Sequence, residues 1–194
     1  MKVDRILWDC DFVAVDIETT GLSPRWDRIV EIGALRFSPG VEVEGFETFV
    51  NPGRAIPPGA MAIHGITDEM VANAPPLDRV VHDLAVFLGD APLVFHNPAF
   101  DLGFLDQVME DVDPAWRTRV VFDSCELARK AFPEAKKYSL VALAHTLGLE
   151  GSAHHRALGD CQYCAALFHR ILEVVDGLRC MLLRDLAEEY RYRP

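Results

Sequence analysis

The run Phe12-Val13-Ala14-Val15-Asp16-Ile17-Glu18 constrains the fold more than any other stretch of the chain. Its apolar residues occupy both faces until acids enter at alternate positions, so it reads as a strand covered on two sides. Side chains alternate along a strand, which sends Asp16 and Glu18 out of one face with Cα atoms about 7 Å apart. Two neighbouring carboxylates beside a core repel each other and resist desolvation. A divalent cation between them would relieve both costs, because hard cations prefer carboxylate oxygen. The alternative is a strand end where the acids simply reach water.

The rest of the chain organises around this strand. Thr19–Pro24 reads as a loop, Arg28–Phe37 as a second strand, and Pro39-Gly40 as a turn into a third, Val43–Val50. Short links between the three imply antiparallel pairing. Asn51–Ala60, rich in Pro and Gly, reads as loop, and Thr67 is placed to cap a short helix through Met70. A helix from Leu77 to a Gly89 stop carries Val80, Val81, Leu84, Phe87 and Leu88 on one face. Strand and helix then alternate: strand Pro92–Phe95, helix Phe100–Met109, strand Arg119–Phe122, helix Glu126–Phe132. Ser139 is expected to cap Leu140–Leu147, followed by a long helix Arg156–Val175 and a last one, Leu178–Tyr190. Three strands followed by βα units predict an α/β fold, a mixed five-stranded sheet flanked by helices. With no repeat or long linker, residues 1–194 read as one domain, its core at about 12–175 and its C-terminal helix at about 178–190.

Charge narrows the function. Lys plus Arg total 19 and Asp plus Glu 30, a net of −11. Residues 1–110 carry 7 − 18 = −11, and residues 111–194 carry 12 − 12 = 0. A broad, sequence-independent grip on duplex nucleic acid calls for a basic surface, so that class is disfavoured. The local acid excess is either a solvated face or a gathering of carboxylates around cations. Five cysteines, an odd number, argue against a disulfide framework. Lys2, Asp4, Arg5 and Asp9 spoil Met1–Cys10 as a signal-peptide core, and no apolar run approaches the roughly 18 residues of a membrane span. A cytoplasmic protein away from the membrane is expected.

Two further segments carry chemistry-bearing residues. His96-Asn97-Pro98-Ala99-Phe100-Asp101 lies at a strand end, where open α/β sheets place ligand sites. Asp101 also suits a helix-cap role there, and His96 and Asn97 also suit a backbone-bonding role in a loop. Phe100, Phe104 and Leu105 read as core residues at helical spacing. The third segment is Gly151-Ser152-Ala153-His154-His155-Arg156-Ala157-Leu158-Gly159-Asp160, where small residues lead to histidines at a helix start. A structural role for His155 is the plainer alternative. Cys161-x-x-Cys164 has the spacing of a redox or zinc pair, but it falls on an apolar helix face and lacks partner cysteines.

Taken together, Asp16-x-Glu18, His96-Asn97-x-x-Phe100-Asp101 and His155-Arg156-Ala157-x-x-Asp160 resemble the three motifs of the DEDDh family of 3′→5′ exonucleases, which includes proofreading and ribonuclease T-like members. The resemblance runs from about Phe12 to Ile171 and takes in Thr19-Thr20-Gly21-Leu22, Ile63-His64-Gly65-Ile66-Thr67 and Tyr138-Ser139-Leu140. It implies an RNase H-like sheet and metal-dependent hydrolysis from a 3′ end, releasing nucleoside 5′-monophosphates. It further implies that Asp16, Glu18, Asp101 and Asp160 hold two divalent cations, Mg²⁺ or Mn²⁺, with His155 as general base. His154 is one residue out of register for that role. Thr20, Leu22, His64, Asn97 and Phe100 fall where the family contacts the terminal nucleotide.

Such a site suits an acidic protein. Two divalent ions would bring the formal charge from −11 to −11 + 4 = −7. Stacking and metal contacts to a few unpaired nucleotides would then supply affinity. Arg129, Lys130, Lys136, Lys137 and Arg156 are the candidates for trailing phosphates, with ordinary surface roles as the alternative. The expected substrate is a single-stranded or frayed 3′ end, of DNA first and of RNA as the alternative. A second alternative is a proofreading subunit bound to a DNA polymerase, although Arg191-Tyr192-Arg193-Pro194 offers no long tail for such assembly. A non-catalytic binding module would be expected to have lost part of the acid set, which is complete here.

Overall fold

A computed structural model of the chain describes residues 4–149 and 155–193. Strands β1 (Phe12–Thr19), β2 (Ile29–Ser38) and β3 (Val41–Phe49) come first. They are followed by helices α1 (Pro58–His64), α2 (Asp68–Val71) and α3 (Leu77–Leu88). Alternation begins with β4 (Leu93–Phe95), α4 (Pro98–Met109), β5 (Val121–Asp123) and α5 (Ser124–Ala131). Helices α6 (Leu140–Leu147), α7 (Ala157–Val175) and α8 (Leu183–Tyr190) complete the order. The sheet runs β3-β2-β1-β4-β5 and is mixed and five-stranded, as the pattern of strands and βα units predicts. β1 pairs antiparallel with β2 and parallel with β4, so it is the strand at which the sheet changes sense. Sites in open α/β sheets form at the strand ends beside such a reversal.

Alternation along β1 divides the core. Phe12 and Ala14 pack with Leu35, Phe37, Phe122, Phe168 and Leu172 beneath α5 and α7. Val13, Val15 and Ile17 pack with Ile32, Leu84, Leu93 and Leu105 beneath α3 and α4. The ring centroids of Phe12 and Phe168 lie 5.0 Å apart, joining β1 to the middle of α7. Truncating either ring to Ala would cost about 3–5 kcal/mol. Continuing the alternation past Ala14 puts Asp16 and Glu18 on the α7 side of the sheet.

Several expectations are corrected. The Pro- and Gly-rich stretch contains a helix, α1, entered through Pro58 and closed by Gly65 at φ +72°. Ser139 precedes α6 but makes no side-chain cap bond. The last helix begins at Leu183 rather than Leu178. The Asp176 carboxylate accepts the Cys180 and Met181 amides and the Trp8 indole N–H, which winds that segment into a turn. Asp101 is not the cap of its helix; that position belongs to Asn97, in the left-handed region at φ 70°.

Candidate metal and active site

Three carboxylates from two distant parts of the chain meet at the end of β1. Among the described residues, Asp16, Glu18 and Asp160 each offer an oxygen within 4.8 Å of the other two. Two come from one face of β1 and the third from the first turn of α7, where a helix N-terminus favours negative charge. Asp101 stands beside this group rather than within it. It is 4% exposed, and its Oδ1 accepts the Ile17 amide, the backbone link between the two β1 acids, at 3.2 Å.

The electrostatics show how unwilling these acids are to be charged together. Burial, then the charges of Asp101, Asp160, Glu18 and Glu31, hold Asp16 well above the usual carboxylate range. Burial pushes Asp101 up to about 8, against the hydrogen bonds from its own amide and that of Ile17. Glu18 rises to about 7 through burial and the charges of Asp160 and Glu31, with Arg156 pulling the other way. Asp16, Glu18 and Asp101 are thus all raised for want of a counter-charge, and such an all-oxygen set fits hard divalent cations.

The second and third motifs are held by bonds that sequence reasoning did not foresee. Asp123, at the end of β5, caps α5 through the Cys125 and Glu126 amides and also accepts the Asn97 amide. His96 bonds Ser124 Oγ at 2.9 Å and the Tyr138 carbonyl at 2.8 Å, with its pKa lowered chiefly by burial. It is therefore a structural link tying Tyr138-Ser139-Leu140 to the strand end. His155 is exposed, sits in the left-handed region at φ 62°, and donates its amide to Asp160 Oδ2 at 3.1 Å. His154 lies outside the described residues.

The expected nucleotide contacts separate by exposure. Leu22 projects from its loop at 83% exposed, Asn97 is exposed and Phe100 half-buried, its ring 5.4 Å from Phe104. Thr20 is buried, its hydroxyl donating to Asp27 and accepting from the Arg28 amide. His64 is 4% exposed and its Nδ1 accepts the Ile66 amide. Burial lowers its pKa; the Thr19 backbone lies close enough to oppose that shift, but Nε2 has no hydrogen-bond partner among the described residues. Ile63, beside it, is 62% exposed.

Of the basic candidates, Arg156 is otherwise engaged. Its guanidinium grips the fully buried Glu31 through Nε at 3.0 Å and Nη2 at 2.6 Å and lies 5.2 Å from the Phe49 ring centroid. Arg129 and Lys130 each sit over an aromatic ring, of Tyr138 and Tyr190, while Lys136 and Lys137 are exposed. Cys161 and Cys164 are free and buried, their pKa raised by burial, so they offer neither redox chemistry nor zinc ligation. No described helix is long and apolar enough to cross a membrane.

A mixed sheet with carboxylates gathered at the end of its central strand is the architecture of a nuclease that works through bound cations. The family model described as an exonuclease, of ribonuclease T type, matches residues 13–168, and the chain belongs to that family of phosphodiester hydrolases. It is 34% identical to exonuclease X, solved with 5′-overhanging duplex DNA; the match covers 91% of this chain and 99% of that one, with a TM-score of 0.71. It is 37% identical over 172 residues to the PolC-type DNA polymerase III of Oceanobacillus iheyensis, covering 89% of this chain but only 12% of that protein. Exonuclease I shares the fold, with a TM-score of 0.76 at 20% identity over 93% of this chain and 44% of its own.

Proposed function

We propose that the chain is a 3′→5′ exonuclease that shortens single-stranded or frayed DNA ends and releases nucleoside 5′-monophosphates. The observation that carries this is the convergence of Asp16, Glu18 and Asp160, with Asp101 electrostatically joined to them. These four residues would hold two divalent cations, Mg²⁺ or Mn²⁺. Bound there, such ions would supply Lewis acidity to the phosphoryl oxygens, to the attacking water and to the leaving alkoxide.

The chain's own residues do the rest. His155, exposed beside Asp160, takes the proton of the attacking water on its imidazole and must be neutral to do so. Leu22 and Phe100 offer apolar surface to the terminal base, and Asn97 a polar edge. Thr20 and His64, though buried, complete the set of positions proposed to meet the terminal nucleotide. DNA is preferred over RNA because exonuclease X, alike over nearly its whole length, was solved on DNA. PolC-type relatives suggest a DNA polymerase as the working context. Residues 12–175 form the exonuclease core of this reading, and three buried free thiols suit the reducing cytoplasm.

A timed digest tests the proposal. Single-stranded, paired and mispaired DNA and RNA, labelled at the 5′ end to reveal polarity, are incubated with Mg²⁺ or Mn²⁺ and with an EDTA control. A ladder receding from the 3′ end, with DNA cut faster and EDTA stopping it, is expected. Intact oligonucleotides, or internal cuts, would overturn the proposal.

A further inference from the structure

An acid within the apolar run Ile29-Val30-Glu31-Ile32 is out of place unless something holds its charge. Glu31 is fully buried and stands directly opposite Glu18 in the β1–β2 ladder, on the same face. Its oxygens have two tasks. They receive the Arg156 guanidinium, and Oε2 also accepts the Ala157 amide at 2.9 Å. The first amides of a helix lack internal partners, and α7 has no cap bond from its own N-cap side chain. A side chain from β2 supplies that cap instead. Two positions along, opposite Asp16, Gly33 leaves room for the helix: a β-carbon there would fall on the Ala157 carbonyl carbon and the Leu158 amide. The Arg156 carbonyl in turn accepts the Asp160 amide at 3.0 Å, and Asp160 accepts the His155 amide.

We propose that Glu31 and Arg156 are positioning residues: their ion pair clamps the first turn of α7 onto β2 and so sets where Asp160 stands relative to Asp16 and Glu18. The two β2 residues that face the β1 acids are thus the two that seat the helix bearing the third acid. The function of the clamp rests on the exonuclease reading; its geometry does not. A planar guanidinium forked onto a carboxylate holds direction as well as distance, which Lys cannot reproduce. Arg156 is accordingly a brace for the site rather than a grip on DNA phosphates.

The test measures Mn²⁺ affinity by calorimetry without nucleic acid, beside kcat and KM on a 3′-labelled oligonucleotide. Arg156→Ala is expected to weaken Mn²⁺ binding about tenfold or more and to lower kcat comparably, with KM changed less than about threefold. Arg156→Lys should restore only part of either. The double variant Glu31→Met with Arg156→Met, which replaces the pair by apolar side chains, guards against simple unfolding. It should remain folded, its melting temperature lowered by no more than the loss of the Ala157 amide's acceptor accounts for, and still show the Mn²⁺ defect. A double variant with wild-type Mn²⁺ affinity would overturn the proposal, as would an Arg156→Ala that changes KM alone. Should wild type bind Mn²⁺ yet leave oligonucleotides intact, the exonuclease reading would fail while the affinity comparison still decided the clamp.

Discussion

The Asp101 carboxylate accepts the amide of Ile17, the residue between Asp16 and Glu18, at 3.2 Å. One bond therefore fixes α4 against the strand segment that displays both β1 acids. Asparagine at position 101 keeps an oxygen for that amide but removes the charge. Asp101→Asn is expected to lower kcat by about 10³-fold or more. Above about pH 8, where Asp101 is charged, the metal-free variant should melt no lower than wild type, because a repulsive buried cluster has lost one charge. Activity assays and thermal melts in EDTA check both halves; a metal-free variant melting well below wild type would make Asp101 a structural residue only.

Proton linkage gives a second expectation. Burial raises Glu18 to about 7 and Asp101 to about 8 in the native protein, from the 4.5 and 3.8 of ordinary carboxyl groups. Between about pH 4 and pH 8 the native state thus holds protons that the unfolded chain has released. Stability of the metal-free protein is fully present below pH 4 as regards these groups and is lost as pH rises through 7 and 8. The melting temperature should fall by about 5 °C or more between pH 5.5 and 8.5, and Mn²⁺ should reverse the fall. A melting temperature that rises across this interval in EDTA would contradict the electrostatic account.

Gly33 lets the α7 backbone approach the sheet, and the atoms a methyl group would meet there are backbone. Gly33→Ala should cost about 2 kcal/mol or more, since neither β2 nor the helix start can give way cheaply. Urea unfolding measures the cost. Because the displaced turn carries Asp160, kcat should fall as well; a variant with wild-type stability and rate would show that the approach is loose.

Leu22 makes the opposite case. At 83% exposed it contributes little to the core, so Leu22→Ala should alter stability by no more than about 0.5 kcal/mol. If it meets the terminal nucleotide, KM for a single-stranded 3′ end should rise several-fold with little change in Mn²⁺ affinity. Steady-state kinetics on short oligonucleotides decide this, and an unchanged KM would remove Leu22 from the substrate surface.

What could be read from the sequence follows from the range of the forces involved. The acids of β1 announce themselves because a period of two in an apolar run is a local signal, and α7 because its apolar face repeats over 19 residues. Helix α1 carries both its punctuation marks in the sequence, Pro58 at the start and Gly65 at the stop, but within a Pro- and Gly-rich stretch whose composition reads as loop. Composition outweighed position in that stretch. The start of α8 was not legible, since Asp176 captures the Cys180 and Met181 amides only after the chain has turned. Glu31 carried a visible signal, a charge amid Ile and Val, but its partner lies 125 residues away. Nothing local says that Arg156 faces inward to an acid rather than outward to phosphate.

The most direct measurement is a calorimetric titration of Mn²⁺ into the metal-free protein near pH 8, repeated with Asp160→Asn and with Asp16→Asn. If Asp16, Glu18, Asp101 and Asp160 form a cation site, wild type binds two ions and each variant loses at least one or binds at least about tenfold more weakly. Binding that is absent from wild type, or equal in all three proteins, would contradict the account at its root.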